Sequence, residues 1–134
     1  MDVFESYLTC LGKTDPPITI FEHSLHVLQV ANYLIGQNVG VVRHPQLIRA
    51  GALCHDVGKI AGDFRSGKWI HTPHTSEFFS QLVDHPRFKE LLVVADACLS
   101  ETDRELLLKV CETSPFSFSR PTPTLQGCNF GACG

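Results

Sequence analysis

The sequence predicts an all-α fold, a compact bundle of five to six helices followed by an irregular C-terminal tail. Three observations carry this expectation. Apolar residues recur at three- and four-residue spacing through most of the first 113 positions, the period of one helix face. Prolines fall between those segments, at Pro16, Pro17, Pro45 and Pro86, where they stop or start helices. No stretch shows the strict alternation or the β-branched density of a sheet strand.

Taken in order, residues 2–12 read as a short amphipathic helix, with Val3, Phe4, Tyr7, Leu8 and Leu11 on one side and Gly12 as its stop. Lys13 to Pro17 is expected to be a linker. A long helix comes next, over 20–38. Its apolar positions (among them Phe21, Leu25, Leu28, Ala31 and Ile35) cover much of its circumference, which predicts a central, well-buried helix. His23 shares a stripe with Val27, Val30 and Leu34, whereas His26 lies in a neighbouring row and is expected at the surface.

Pro45 suits the first turn of the next helix, which runs to His55-Asp56. Residues 62–68 form a polar, glycine-bounded loop. A helix through Phe78, Phe79, Leu82 and Val83 comes next, then one opened by Pro86 and carrying Leu91 to Asp96. Ser100 has the character of an N-cap with an acidic first turn behind it, leading into a last helix through Leu106, Leu107, Leu108, Val110 and Cys111. From Ser114 onward the composition shifts to Pro, Ser, Thr and Gly without an apolar period. The domain is therefore placed at 1–113 and a loosely ordered tail at 114–134.

Length and composition narrow the function classes. A chain of 134 residues, 43% hydrophobic, is sized for one globular domain with a real core. A net charge of −3 offers no overall attraction to nucleic acid, although a local basic strip is compatible with it. No apolar run approaches the roughly 20 residues that span a bilayer. The acidic start Met1-Asp2-Val3-Phe4-Glu5 lacks the features of a signal peptide, so a soluble, cytoplasmic protein is expected. Six cysteines in such a chain do not spell a disulfide framework. Cys10, Cys54, Cys98 and Cys111 sit in apolar helical surroundings as small core residues. Cys128 and Cys133 in the Gly-rich tail read as a zinc pair or, more simply, as part of a loose tail.

The stretch with chemical character is Leu53-Cys54-His55-Asp56-Val57-Gly58-Lys59. Adjacent residues on a regular helix point about 100° apart, so His55 and Asp56 can face one point only where the helix ends and the backbone loosens. An imidazole nitrogen beside a carboxylate oxygen suits a borderline or hard divalent cation. The competing reading of the pair is a cap or a loop salt bridge. Asp96 draws attention for another reason: a carboxylate among Val93, Val94, Ala95, Ala97 and Cys98 is costly when buried unless it is paired or metal-bound. Its bland alternative is helix capping.

The order His…His-Asp…Asp on successive helices resembles the HD superfamily of metal-dependent phosphohydrolases. His23-Ser24-Leu25-His26-Val27-Leu28-Gln29-Val30-Ala31 is similar to the first motif of that family, and Ala52-Leu53-Cys54-His55-Asp56-Val57-Gly58-Lys59-Ile60 is close to its signature A-L-x-H-D-I-G-K. The segment from His71 to Phe79 resembles the helix start that supplies a further histidine in two-metal members. The resemblance implies an HD-domain-like bundle and a first metal held by His23, His55, Asp56 and Asp96. It implies catalytic roles for Asp56, which would also orient the attacking water, and for Lys59, which would meet a substrate phosphate. His71 and His74 become candidates for a second metal or a phosphate contact.

The implied ion is Mn, Fe, Ni or Mg in preference to Zn, one or two per chain. The implied reaction is hydrolysis of a phosphomonoester or phosphodiester, and the implied partner is a phosphorylated small molecule, a nucleotide or single-stranded nucleic acid. Asp63-Phe64-Arg65 after the signature is similar to the nuclease branch attached to CRISPR helicases, one alternative. The other is a non-catalytic regulatory HD domain that binds a nucleotide or metal. A second alignment places Ser100–Thr113 on the helix before the family's His-His pair and removes Asp96 from the ligands. The first alignment is preferred because it completes a single-metal set.

Overall fold

In the computed structural model, which describes residues 2–38, 40–60 and 75–112, the chain starts with α1 (Val3–Thr9), opened by a reciprocal cap. The Asp2 carboxylate accepts from Glu5 N–H at 2.8 Å while Glu5 accepts from Asp2 N–H at 3.2 Å, which satisfies donors the helix start cannot pair. The helix ends three residues before Gly12. The expected linker is corrected: β1 (Leu11–Thr14) and β2 (Pro17–Thr19) form a small antiparallel hairpin there. Strands of four and three residues are too short to show alternation, so the pairing left no trace in the apolar pattern. Its placement is tight. A Cβ on Gly12 would lie 2.9 Å from Ile20 Cα and 3.0 Å from the Thr19 carbonyl oxygen, so only glycine lets β1 press this closely on the turn into the next helix.

That helix, α2 (Ile20–Gln37), is opened by a second capping box, Thr19 with Glu22. It packs most extensively on α3 (Pro45–Cys54) and also on α1 and the hairpin. The expectation of a central, well-buried helix holds only for one face of its first half. Ile20, Ser24 and Leu28 are buried, but Val30, Tyr33 and Leu34 are 52–66% exposed. Apolar character around a helix does not say how far along it the partners reach. His26 is exposed as expected.

After α3 come a 3₁₀ turn (Val57–Ile60) and then α4 (Thr75–Val83), α5 (Pro86–Val94) and α6 (Glu101–Glu112). The described residues thus form six α-helices and one small hairpin, and among them no helix is long and apolar enough to cross a membrane. The core runs through Tyr7, Ile20, Leu53, Val57, Phe79, Leu82 and Phe88, with Tyr7 edge-on to Phe88 at 5.4 Å between ring centroids. Arg104 on α6 forks onto the Asp84 carboxylate just past α4, and Ser100 caps α6 by accepting from Asp103 N–H at 3.1 Å. Cys54 and Cys111 are buried as expected, Cys10 is half-buried, and Cys98 is instead exposed, beyond the end of α5. His71, His74, the 62–68 loop, and the tail with Cys128 and Cys133 lie outside the described residues.

Candidate metal centre

The site is built where α3 stops. The last carbonyls of a helix have no partner within it, and here each finds a specific one. Ala52 O accepts from His55 Nδ1 at 2.9 Å, Leu53 O from the Tyr7 hydroxyl at 2.7 Å, and Cys54 O from the Cys111 thiol at 3.6 Å. Three side chains from three parts of the chain therefore let this helix end be buried, and they hold the His55-Asp56 turn against the core.

The contact with Ala52 fixes the tautomer of His55. A carbonyl oxygen only accepts, so Nδ1 carries the hydrogen. The other nitrogen, Nε2, lies 3.3 Å from Asp56 Oδ2 and, in neutral imidazole, presents a lone pair there. This is the arrangement in which a backbone carbonyl orients a metal-ligating histidine. From the first turn of α2, whose start is set by the Thr19 cap, His23 brings Nε2 to 3.4 Å from the same oxygen. One ligand atom from each of His23, His55 and Asp56 falls within 4.8 Å of the others. The expected loosening at the helix end is what lets neighbours in sequence converge.

Lys59 completes the surround. Its Nζ lies 3.2 Å from Asp56 Oδ2 and donates to Gly12 O at 2.7 Å, tying the 3₁₀ turn to the hairpin. One carboxylate, itself only 6% exposed, is thus faced by two imidazoles and an ammonium. Burial alone would raise the Asp56 pKa, but the His55 hydrogen bond and the charges of His55, Lys59 and His23 outweigh it and hold the group down to about 2. For His55, burial pulls downward, and the hydrogen bond and charge of Asp56 with the Ala52 carbonyl reverse it to a net rise. His23 is lowered, first by burial and then by the nearby charges of His55, Lys59 and Lys13, against the opposing pull of Asp56.

Asp96 is not brought to this cluster, and the burial argument for it is corrected. The helix α5 ends at Val94, so Asp96 stands beyond it, with φ at +55° and a side chain 71% exposed. Its carboxylate is engaged by Arg49 at 3.2 Å and Gln46 at 3.2 Å, and Arg49 also donates to the Asp96 carbonyl. Gln46 precedes His55 by nine residues, roughly 13 Å along a helix. Asp96 locks the α5–α6 connection onto the far end of α3. The Gly12 carbonyl had no sequence signal as a site component, because glycine at a helix end reads as a stop and Lys59 is 47 positions away.

These features define a helical domain with a buried His-His-Asp cluster, a class of fold and site suited to a divalent cation. The model of the HD domain family matches residues 20–116, well over half the chain, and the protein belongs to that family. No curated protein and no solved structure matched.

Proposed function

We propose that this protein is a metal-dependent phosphohydrolase that cleaves a phosphoester of a nucleotide or nucleic-acid substrate. The observation that carries this reading is the convergence of His23 and His55 on the buried Asp56 carboxylate, within 4.8 Å, in a chain whose family generally consists of such enzymes. The donor set fits a divalent ion. Two imidazole nitrogens and a carboxylate oxygen suit Mn, Fe or Ni, with coordination positions left for water and substrate.

His23, His55 and Asp56 would hold the ion. When bound, such an ion lowers the pKa of a coordinated water and supplies a nucleophile near neutral pH. The chain's own residues prepare the site for it. Ala52 O keeps the His55 proton on Nδ1, so Nε2 faces the site. Asp56 holds the orientation of the water through its carboxylate. Lys59 keeps a positive charge beside Asp56 and offsets negative charge that develops during phosphoryl transfer. His71 and His74 stay proposed as contacts to a second ion or to phosphate.

A regulatory HD domain that binds metal without turnover is the second reading, favoured by a ligand set of three among the described residues. The test is elemental analysis of the purified protein beside Asp56→Ala, and then phosphate release from nucleotides and single-stranded DNA. About one equivalent of transition metal, lost in the variant, with metal-dependent hydrolysis, supports the enzyme. Metal without turnover of any phosphoester favours the regulatory reading, and no uptake of Mn or Ni refutes both.

A further inference from the structure

The ligands of the centre stand on two separate elements. His23 belongs to the first turn of α2, while His55 and Asp56 follow the end of α3. The rings of His23 and His55 are 5.4 Å apart between centroids, so both reach one ion only while the two backbone segments keep their spacing. A ligand set works when its atoms are held within about 0.5 Å of the productive geometry. A third element sets that spacing.

That element is α1, which precedes the residues matched by the family model. It packs on α2 and on the 3₁₀ turn that follows α3. Its Tyr7 is fully buried and touches both ligand-bearing segments. On the α3 side the hydroxyl donates to Leu53 O at 2.7 Å, and on the α2 side the ring leans on Phe21 at 5.7 Å between centroids. Each contact falls two residues ahead of a histidine ligand, Leu53 before His55 and Phe21 before His23. Phe88 holds the ring from a further side, edge-on, so the phenol cannot follow either segment without disturbing the core. Burial pushes its pKa up, and the hydroxyl stays a donor across the neutral range. A carbonyl at a helix end can be satisfied by water or by a tightened turn. A donor delivered from a buried ring 46 positions away also fixes where that carbonyl lies relative to α2.

We infer that Tyr7 is a positioning residue of the metal centre: by bridging Leu53 and Phe21 it sets the separation of His55 and His23, and with it the affinity for the ion. This inference rests on the metal-binding reading of the centre and makes α1 a working part of it. A hydroxyl with only a structural role would contribute to folding alone. Its removal would then weaken the metal-free and the metal-bound protein equally.

The test uses the full chain, with Mn and Co as probes. Tyr7→Phe keeps the ring against Phe21 and Phe88 and removes the donor to Leu53 O. Its circular dichroism spectrum is expected to match that of the wild type. Its Mn affinity, measured by calorimetry, is expected to fall about tenfold, the lower end of the range for losing an outer partner of a ligand set. At equal excess of Mn, the protection that the ion gives against urea then shrinks by about 1.4 kcal/mol. The visible absorption bands of bound Co, which report ligand geometry, are expected to shift with it. Phe21→Leu loosens the other side of the bridge with the hydroxyl intact, and should weaken Mn binding about threefold, the scale of one aromatic pair. Mn affinity within about twofold of the wild type in Tyr7→Phe overturns the inference and leaves the metal centre standing. Should Tyr7→Phe fail to fold, unchanged Mn affinity in Phe21→Leu overturns it in the same way. Failure of the wild-type protein to take up Mn or Co is a different result, which removes the centre and this inference with it.

Discussion

In the metal-free protein, Asp56→Asn should destabilise the fold, because this carboxylate answers three basic groups at once. The variant keeps the shape of the side chain and removes its charge. The carboxyl group titrates near 3.8 when unperturbed and is held down to about 2 in the fold, burial opposing and His55, Lys59 and His23 prevailing. At about 1.4 kcal/mol per pH unit, the difference contributes about 2 kcal/mol to stability at neutral pH. Removing one partner of a buried ion pair costs about 3–5 kcal/mol in general. Here the histidines can shed protons and Lys59 retains Gly12 O, so a loss of about 2–3 kcal/mol is expected, nearer the linkage figure. That is a large share of the roughly 5–15 kcal/mol typical of a domain.

The assay is urea denaturation monitored by circular dichroism, with a chelator present. Because the folded pKa is depressed, the wild-type advantage is complete above pH 3.8 and is lost as the pH falls toward 2. It should therefore be full at about pH 5, shrink to about half by about pH 3, and decline again as the pH climbs through the raised His55 pKa, where the imidazole partner loses its charge. A metal-free Asp56→Asn variant as stable as the wild type at neutral pH would refute the account of a self-neutralised site. So would a stability gap that keeps widening below about pH 4.

Three further outcomes rest on the same geometry. The His55 pKa is raised, so its contribution to metal-free stability is present below the unfolded value of 6.5 and is lost as the pH climbs through the folded one. This is the Asp56 attraction seen from the other partner and is not added to it. Metal must displace that proton, so Mn affinity should rise with pH over the same window, with proton release measurable by calorimetry in buffers of different ionisation enthalpy. Asp96→Gly should leave metal content at the wild-type level and change stability by less than about 1 kcal/mol, since relief of the left-handed backbone offsets the lost Arg49 and Gln46 contacts. A lost equivalent of metal would return Asp96 to the ligand set. Two glycines should respond with opposite sign in thermal melts. Gly12→Ala meets backbone 2.9 Å away and should cost about 1–3 kcal/mol, whereas Gly51→Ala inside α3 meets only Leu107 Cδ1 at 3.6 Å and should gain up to about 1 kcal/mol.

Much of this protein was determined by local sequence alone. Helix spacing, the Pro45 and Pro86 starts and the Ser100 cap each depend on interactions within a few residues, and the elements appear where those signals stand. The His55-Asp56 pair was legible for the same reason: a helix end is a local event, and the two ligands are neighbours. Tertiary structure decided what distance along the chain hides. Asp96 had the surroundings of a buried carboxylate, but α5 stops two residues before it, and Arg49 from α3 draws it outward. The hairpin was invisible because its strands are short and its binding energy lies in backbone contacts, which carry no side-chain pattern. The contact of Lys59 with Gly12 O, 47 positions away, likewise had no local signal. Contacts between residues roughly 40 or more positions apart depend on how helices stack, and stacking is a property of the assembled core.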